Sequence, residues 1–177
     1  CMRVVAVSLP HAGDGRILAM PAVPVPFDPP VVLAPMAGIT NRAFRSLARE
    51  SARAVVGDRG VGMYVSEMVT SRALVERSDE SMDLVTFGPD ESPRAVQLYG
   101  VDPATVASAV RLLVDEDRAD HVDLNFGCPV PKVTRKGGGS ALPWKRDLFR
   151  GIVRAAIEAA DGRVPVSVKM RKGIDDD

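Results

Sequence analysis

Two cysteines in 177 residues, Cys1 at the very start and Cys128 in the interior, are too few and too far apart for a disulfide framework, which points to a reducing, cytoplasmic setting. No CxxC pair and no HExxH helix is present, so no metal site is expected. No apolar run approaches the ~18 residues of a membrane span. The brief apolar run from Met2 is interrupted by His11, Gly13 and Asp14 too early for a secretory leader. Neither sign of charge is in excess, with 23 basic against 23 acidic side chains, so overall charge names no nucleic-acid or membrane partner. A GxGxxG turn after the first strand and a GxxxxGK[ST] loop are both missing, which argues against the common nucleotide folds. What remains is an apolar fraction of 46%, enough for the core of one ordinary domain.

Prolines at 21, 24, 26, 29 and 30 make residues 1–27 an extension, an extended lead-in with at most a short hairpin. The folded body should start at about residue 28. Val31–Ala34 reads as a buried strand ended by Pro35, and a helix follows with Thr40 as N-cap and Phe44, Leu47 and Ala48 on one face. Strands are expected at 60–68 and 94–98. Pro103 opens a helix with a stripe of Val106, Val110, Leu113 and Val114. A strand over His121–Phe126 precedes Gly127-Cys128-Pro129. The clearest helix runs from Lys145 to Ala160, closed by Gly162, and Val164–Met170 is the last strand. Strand alternating with helix implies a parallel sheet covered by helices. With about five strands, where a (β/α)8 barrel typically needs ~250 residues, the fold class is α/β, the N-terminal half of a TIM barrel.

Alternation along the strands puts polar groups on one face. Gln97 lies opposite Val96 and Leu98, Asp123 and Asn125 lie opposite Val122 and Leu124, and Ser167 and Lys169 lie opposite Val166 and Val168. In a parallel sheet both faces are buried, so unpaired amides or an ammonium there would be costly, and the group implies a shared polar ligand. Lys169 either answers a negatively charged ligand, such as a phosphate or a reduced flavin ring, or pairs with Asp123. Cys128 has two readings as well. A lone cysteine is often a small packing residue, but Gly127 and Pro129 fix the backbone around this one at a strand end, where a thiol is set up for chemistry. Beyond it, Lys132, Arg135, Lys136, Lys145 and Arg146 share a segment without an acidic residue, interleaved with Gly137-Gly138-Gly139. Such a run is either solvated surface or a contact for RNA phosphate.

Five blocks carry a resemblance: Leu33-Ala34-Pro35-Met36-Ala37-Gly38-Ile39-Thr40-Asn41, Tyr64-Val65-Ser66-Glu67-Met68, Val96-Gln97-Leu98-Tyr99-Gly100, Asp123-Leu124-Asn125-Phe126-Gly127-Cys128-Pro129 on to Lys132-Val133, and Val168-Lys169-Met170-Arg171. In this order they resemble the tRNA-dihydrouridine synthases, most closely the DusB-like branch, over about residues 28–177. The resemblance implies a flavoprotein oxidoreductase in which NADPH (or NADH) reduces FMN and hydride passes to C6 of a tRNA uridine while Cys128 protonates C5. It further implies that Pro35, Met36 and Ala37 border the flavin, that Gln97 and Lys169 hydrogen-bond its ring, and that Asn125 arranges flavin and uracil. Arg171 is a candidate for the phosphate or the uracil, and Lys132, Arg135 and Lys136 for tRNA. A free thiol with a pKa near ~8.5 is protonated at neutral pH and can act as such an acid.

The resemblance also implies parts not found in these residues: the C-terminal half of the barrel with a further histidine and the FMN-phosphate loops, and a helical tRNA-binding domain. These 177 residues alone are therefore expected to bind FMN poorly, and the full-length protein to be a monomer. The link 51–62 is longer than the family's usual one. Two alternatives stand beside this reading: another FMN barrel oxidoreductase acting on a small molecule, similar to a dihydroorotate dehydrogenase, and an inactive fragment that retains RNA binding.

Overall fold

A computed structural model describes residues 31–57 and 62–171 and the backbone of residues 2–7. In chain order the elements are β1 (Met2–Val7), β2 (Val32–Leu33), α1 (Arg42–Val56), β3 (Met63–Thr70), α2 (Ser71–Val75), α3 (Asp79–Leu84), β4 (Arg94–Tyr99), α4 (Pro103–Asp115), β5 (His121–Phe126), α5 (Pro131–Thr134), a 3₁₀ turn (Gly139–Trp144), α6 (Arg146–Ala160) and β6 (Val166–Arg171). The sheet runs β1-β6-β5-β4-β3-β2, with β2 to β6 parallel and β1 antiparallel to β6. Five parallel strands with helices on the outside form half of a (β/α)8 barrel, the architecture that alternating strand and helix signals require. The extended lead-in expected at the start is in part a strand, β1, along the edge of β6. Residues 8–30, the rest of that expectation, lie outside the described residues, as do residues 58–61 of the link before β3.

The core sits between the outer face of the sheet and the helices. Val96, Leu98, Val122, Leu124, Val166 and Val168 point outward onto Val106, Val110 and Leu113 of α4 and Ile152 and Ala156 of α6. The predicted stripe of α4 is thus the buried one, apart from Val114, which is half-buried. Pro103 stands in the first turn of α4 with Asp102 as N-cap, its side chain accepting from Thr105 N–H at 2.7 Å. Gly162 does follow α6, with Asp161 already left-handed at φ 49°.

Three expectations about the first unit are corrected. β2 is short and its residues are only half-buried, with Val31 61% exposed, because it pairs on one side only. In α1 the N-cap is Asn41, whose Oδ1 accepts from Phe44 N–H at 3.0 Å. Thr40 is instead buried in the preceding turn, exchanging hydrogen bonds with Met36 N–H and Met36 O. The face of α1 that packs inward carries Arg45 and Arg49, while Phe44 and Leu47 are exposed. Arg45 grips Glu91 through Nε at 2.7 Å and Nη2 at 3.2 Å and lies over the Phe87 ring, and Arg49 lies over the Tyr64 ring. Paired and stacked guanidinium groups can take core positions that hydropathy assigns to leucine.

Candidate active site

The inward faces of β4, β5 and β6 carry side chains opposite in parity to the core. Their parallel register sets Gln97 against Asp123 and Asp123 against Ser167, and one rank higher Asn125 against Lys169. All five are buried, with Gln97 1% and Lys169 7% exposed. The predicted grouping of polar residues therefore exists, and apart from Lys169 its members bond to one another. His121 Nε2 meets Ser167 Oγ at 2.8 Å, and Ser167 Oγ donates to Asp123 Oδ1 at 2.6 Å. Gln97 Nε2 donates to Asp123 Oδ2 at 2.6 Å, and Asn125 Nδ2 donates to Gln97 Oε1 at 2.9 Å and to the Met68 sulfur at 3.0 Å. At the top, Asn125 Oδ1 accepts from Gly127 N–H at 3.2 Å and Cys128 N–H at 2.9 Å.

The cysteine turn is held from several sides. Cys128 O accepts from Ser140 N–H at 3.0 Å, which ties the turn to the 3₁₀ segment, and Arg171 Nε donates to Gly127 O at 2.9 Å. Gly139, at φ 56°, approaches so closely that a Cβ there would lie 2.3 Å from Cys128 O, and a Cβ on Gly138 would lie 2.3 Å from the Tyr99 ring. Only glycine fits at these two places. Cys128 itself is free and half-buried. Burial pushes the Tyr99 phenol up, with the Cys128 charge a smaller cause.

Burial likewise shapes the charges. It pulls the Lys169 ammonium down, against the upward pull of Asp123 and Cys128. It pushes the Asp123 carboxyl up to about 6, although Ser167 and Gln97 donate to it, and it holds the His121 imidazole down at about 4. Both oxygens of Asp123 are engaged by Ser167 and Gln97, and among the described residues no carboxylate makes an ion pair with Lys169. Lys169 thus feels Asp123 through space. A buried cation without an ion-pair partner, on the same inward face as an amide, Gln97, that keeps one donor hydrogen, fits a ligand edge rich in acceptors, such as a flavin ring.

Pro35 is half-buried and Met36 and Ala37 are exposed in the turn after β2, two strands away from Gln97. That turn is fixed by Ile39 and Thr40 N–H to Met36 O, both 3.0 Å, and by Gly38 N–H to the Glu67 carboxylate of β3. Lys132, Arg135 and Lys136 lie exposed on and just after α5, and Lys145 and Arg146 are exposed after the 3₁₀ turn. None of these five makes an ion pair among the described residues. Sequence reasoning gave no part to His121, Met68 or Glu67. His121 shares the strand parity of Asp123 and Asn125, a signal that was present, whereas no local pattern brings Met68 to Asn125 from 57 residues away. Among the described residues no cluster of three potential metal ligands occurs, and no helix is long and apolar enough to cross a membrane.

The family model described as Dihydrouridine synthase (Dus) matches residues 32–177. The chain is 57% identical over 154 residues to a protein of Mycobacterium tuberculosis H37Rv named "Probable tRNA-dihydrouridine synthase", covering 86% of this chain and 39% of the relative. It is 52% identical over 165 residues to the protein of that name from Mycobacterium leprae, covering 82% and 43%. It is 45% identical over 148 residues to the "tRNA-dihydrouridine synthase B" of Pseudomonas aeruginosa, covering 83% and 41%. The chain thus spans about two fifths of the length of these curated relatives. It belongs to the dihydrouridine synthase family and corresponds to the N-terminal part of the catalytic domain.

Proposed function

We propose that this chain carries the proton-donating and flavin-holding strands of a tRNA-dihydrouridine synthase, which reduces the C5–C6 double bond of a tRNA uridine. The observation that carries the reading is the convergence of Cys128, Asn125, Gln97 and Lys169 at the C-terminal ends of β4, β5 and β6, the end at which barrels of this type hold their chemistry. FMN, recharged by NADPH or NADH, supplies when bound the hydride that adds to C6. The thiol of Cys128 gives its proton to C5, and the thiolate left behind takes a proton back from solvent. A reducing cytoplasmic setting keeps that thiol free. Lys169 hydrogen-bonds the flavin ring and offsets negative charge on it, and the spare Gln97 hydrogen donates beside it. Asn125 orders the Cys128 turn between flavin and uracil. Pro35, Met36 and Ala37 border the ring, and Arg171, already fastened to the Gly127 carbonyl, faces the phosphate or the uracil.

Lys132, Arg135 and Lys136 grip tRNA phosphate. Their grip offsets the few kcal/mol needed to draw the uridine out of its stack. Their side chains are exposed, where phosphate can reach them.

The test is dihydrouridine content of tRNA from a strain lacking the gene, with the full-length gene or its Cys128→Ala variant returned. Cys128→Ala should lower dihydrouridine formation by roughly 10²–10⁴-fold while flavin reduction by NADPH stays near wild type. Equal loss of both steps rejects the acid role, and no dihydrouridine difference between deletion and complemented strains rejects the reading.

A further inference from the structure

The bonds that run from His121 to Cys128 have one direction only. Gly127 and Cys128 offer N–H donors at the top, so Asn125 must turn its oxygen to them and its Nδ2 to Gln97. Gln97 must then turn its own Nε2 downward, and the acceptor that receives it is Asp123 Oδ2. Below, the other carboxylate oxygen takes the Ser167 hydroxyl hydrogen, which leaves Ser167 Oγ to accept from His121. His121 is thereby the Nε2–H tautomer, and its buried Nδ1, which has no partner among the described residues, is the bare lone pair. Donors at one end and a carboxylate at the other over-determine both amides. From this geometry we propose that Asp123 is a positioning residue, the acceptor that terminates an amide relay through Gln97 and Asn125 and so holds the backbone of Cys128.

Asp123 acts on the thiol through that backbone, and this consequence rests on Cys128 being the reacting thiol as proposed above. Replacement by an apolar side chain leaves Gln97 Nε2 buried without an acceptor, and the relay loosens up to the cysteine turn. Asparagine can still accept from Gln97 through its oxygen, but it must then donate its Nδ2 to Ser167. The Ser167 hydroxyl turns to donate to His121, which must become the Nδ1–H tautomer. Burial holds the His121 ring neutral at neutral pH, so tautomer identity can be read from it.

The experiment uses ¹⁵N-labelled full chain without RNA or flavin. In wild type, imidazole ¹⁵N shifts should report Nε2–H for His121, and the Cys128 amide should be protected from exchange. Asp123→Asn should convert His121 to Nδ1–H and keep the Cys128 amide protected. Asp123→Leu should speed exchange of that amide by about tenfold, the equivalent of one lost hydrogen bond. Ser167→Ala, which removes only the lower link, should leave Cys128 protected. Nδ1–H in wild type, or an unchanged tautomer in Asp123→Asn, overturns the direction of the relay. Wild-type protection of Cys128 in folded Asp123→Leu overturns the positioning role. A protein that behaves as expected here yet fails the dihydrouridine test keeps the relay and loses the functional reading.

Discussion

The two ends of the half-barrel treat charge in opposite ways. At the floor, where the parallel strands begin, Arg94 is gripped by Asp117 and Asp120, Glu116 joins Arg77 to Arg118, and Arg163 meets Asp115. A cleft of about 680 Å³ opens there, lined by several of these residues, but its charges already answer one another. At the mouth, Lys132, Arg135, Lys136, Lys145 and Arg146 make no ion pair among the described residues, and Lys169 is buried with no carboxylate in contact. A floor satisfied from within is built for folding. On the proposed function, the positive mouth is completed from outside, by an acceptor-bearing ring and a polyanion.

Removal of single charges at either end should expose this division. The largest effect belongs to Glu91→Ala, which strips the buried Arg45 of both its carboxylate bonds and Gly88 N–H of its acceptor. Leaving a buried guanidinium uncompensated should cost about 3–5 kcal/mol in urea denaturation. Asp120→Asn, at the half-exposed Arg94 pair, should cost about 1 kcal/mol. Lys169→Met should leave the denaturation midpoint unchanged or raise it, because burial already disfavours the charged form, while flavin affinity falls by at least about tenfold. A stability loss for Lys169→Met comparable to that of Glu91→Ala would erase the distinction between the two ends.

Acid should act on the relay with opposing signs. The raised carboxyl of Asp123 stabilises the fold as pH falls through about 6, since the folded state then binds the proton more readily than the unfolded one. The depressed imidazole of His121 does the reverse, and its contribution is present above pH ~6.5 and lost as pH falls towards about 4. In wild type the two largely offset each other. Asp123→Asn should therefore lose stability more steeply than wild type between pH 7 and 4.5, and His121→Phe less steeply, as read from thermal midpoints across pH. Identical slopes in all three proteins would mean that neither group is perturbed as described.

Much of this was legible in the sequence where periodicity is strict. β4, β5 and β6 alternate so regularly that Gln97, Asp123, Asn125, Ser167 and Lys169 could be assigned to one face, and they share it. α4 and α6 were legible for the same reason. Less was readable where contacts come from afar. α1 carries no such signal, because its inward positions are arginines whose partners, Glu91 and Tyr64, are remote in sequence. The bond between Asn125 and Met68 and the short helices α2, α3 and α5 carry no periodic signal of their own. Strand parity shows that polar groups face one another, but only coordinates show that they bond in a single directed line.

The central claim, that the mouth is held positive for a polyanion while the floor is internally neutralised, is tested most directly by the salt dependence of tRNA binding. In the whole protein, replacing Lys132, Arg135 and Lys136 together by alanine should weaken binding and make the slope of log K against log salt shallower by about 2–3, as expected for three lost phosphate contacts. Arg163→Ala at the floor should leave the slope unchanged. An unaltered slope in the triple variant, or an equal change from the floor variant, would contradict the account.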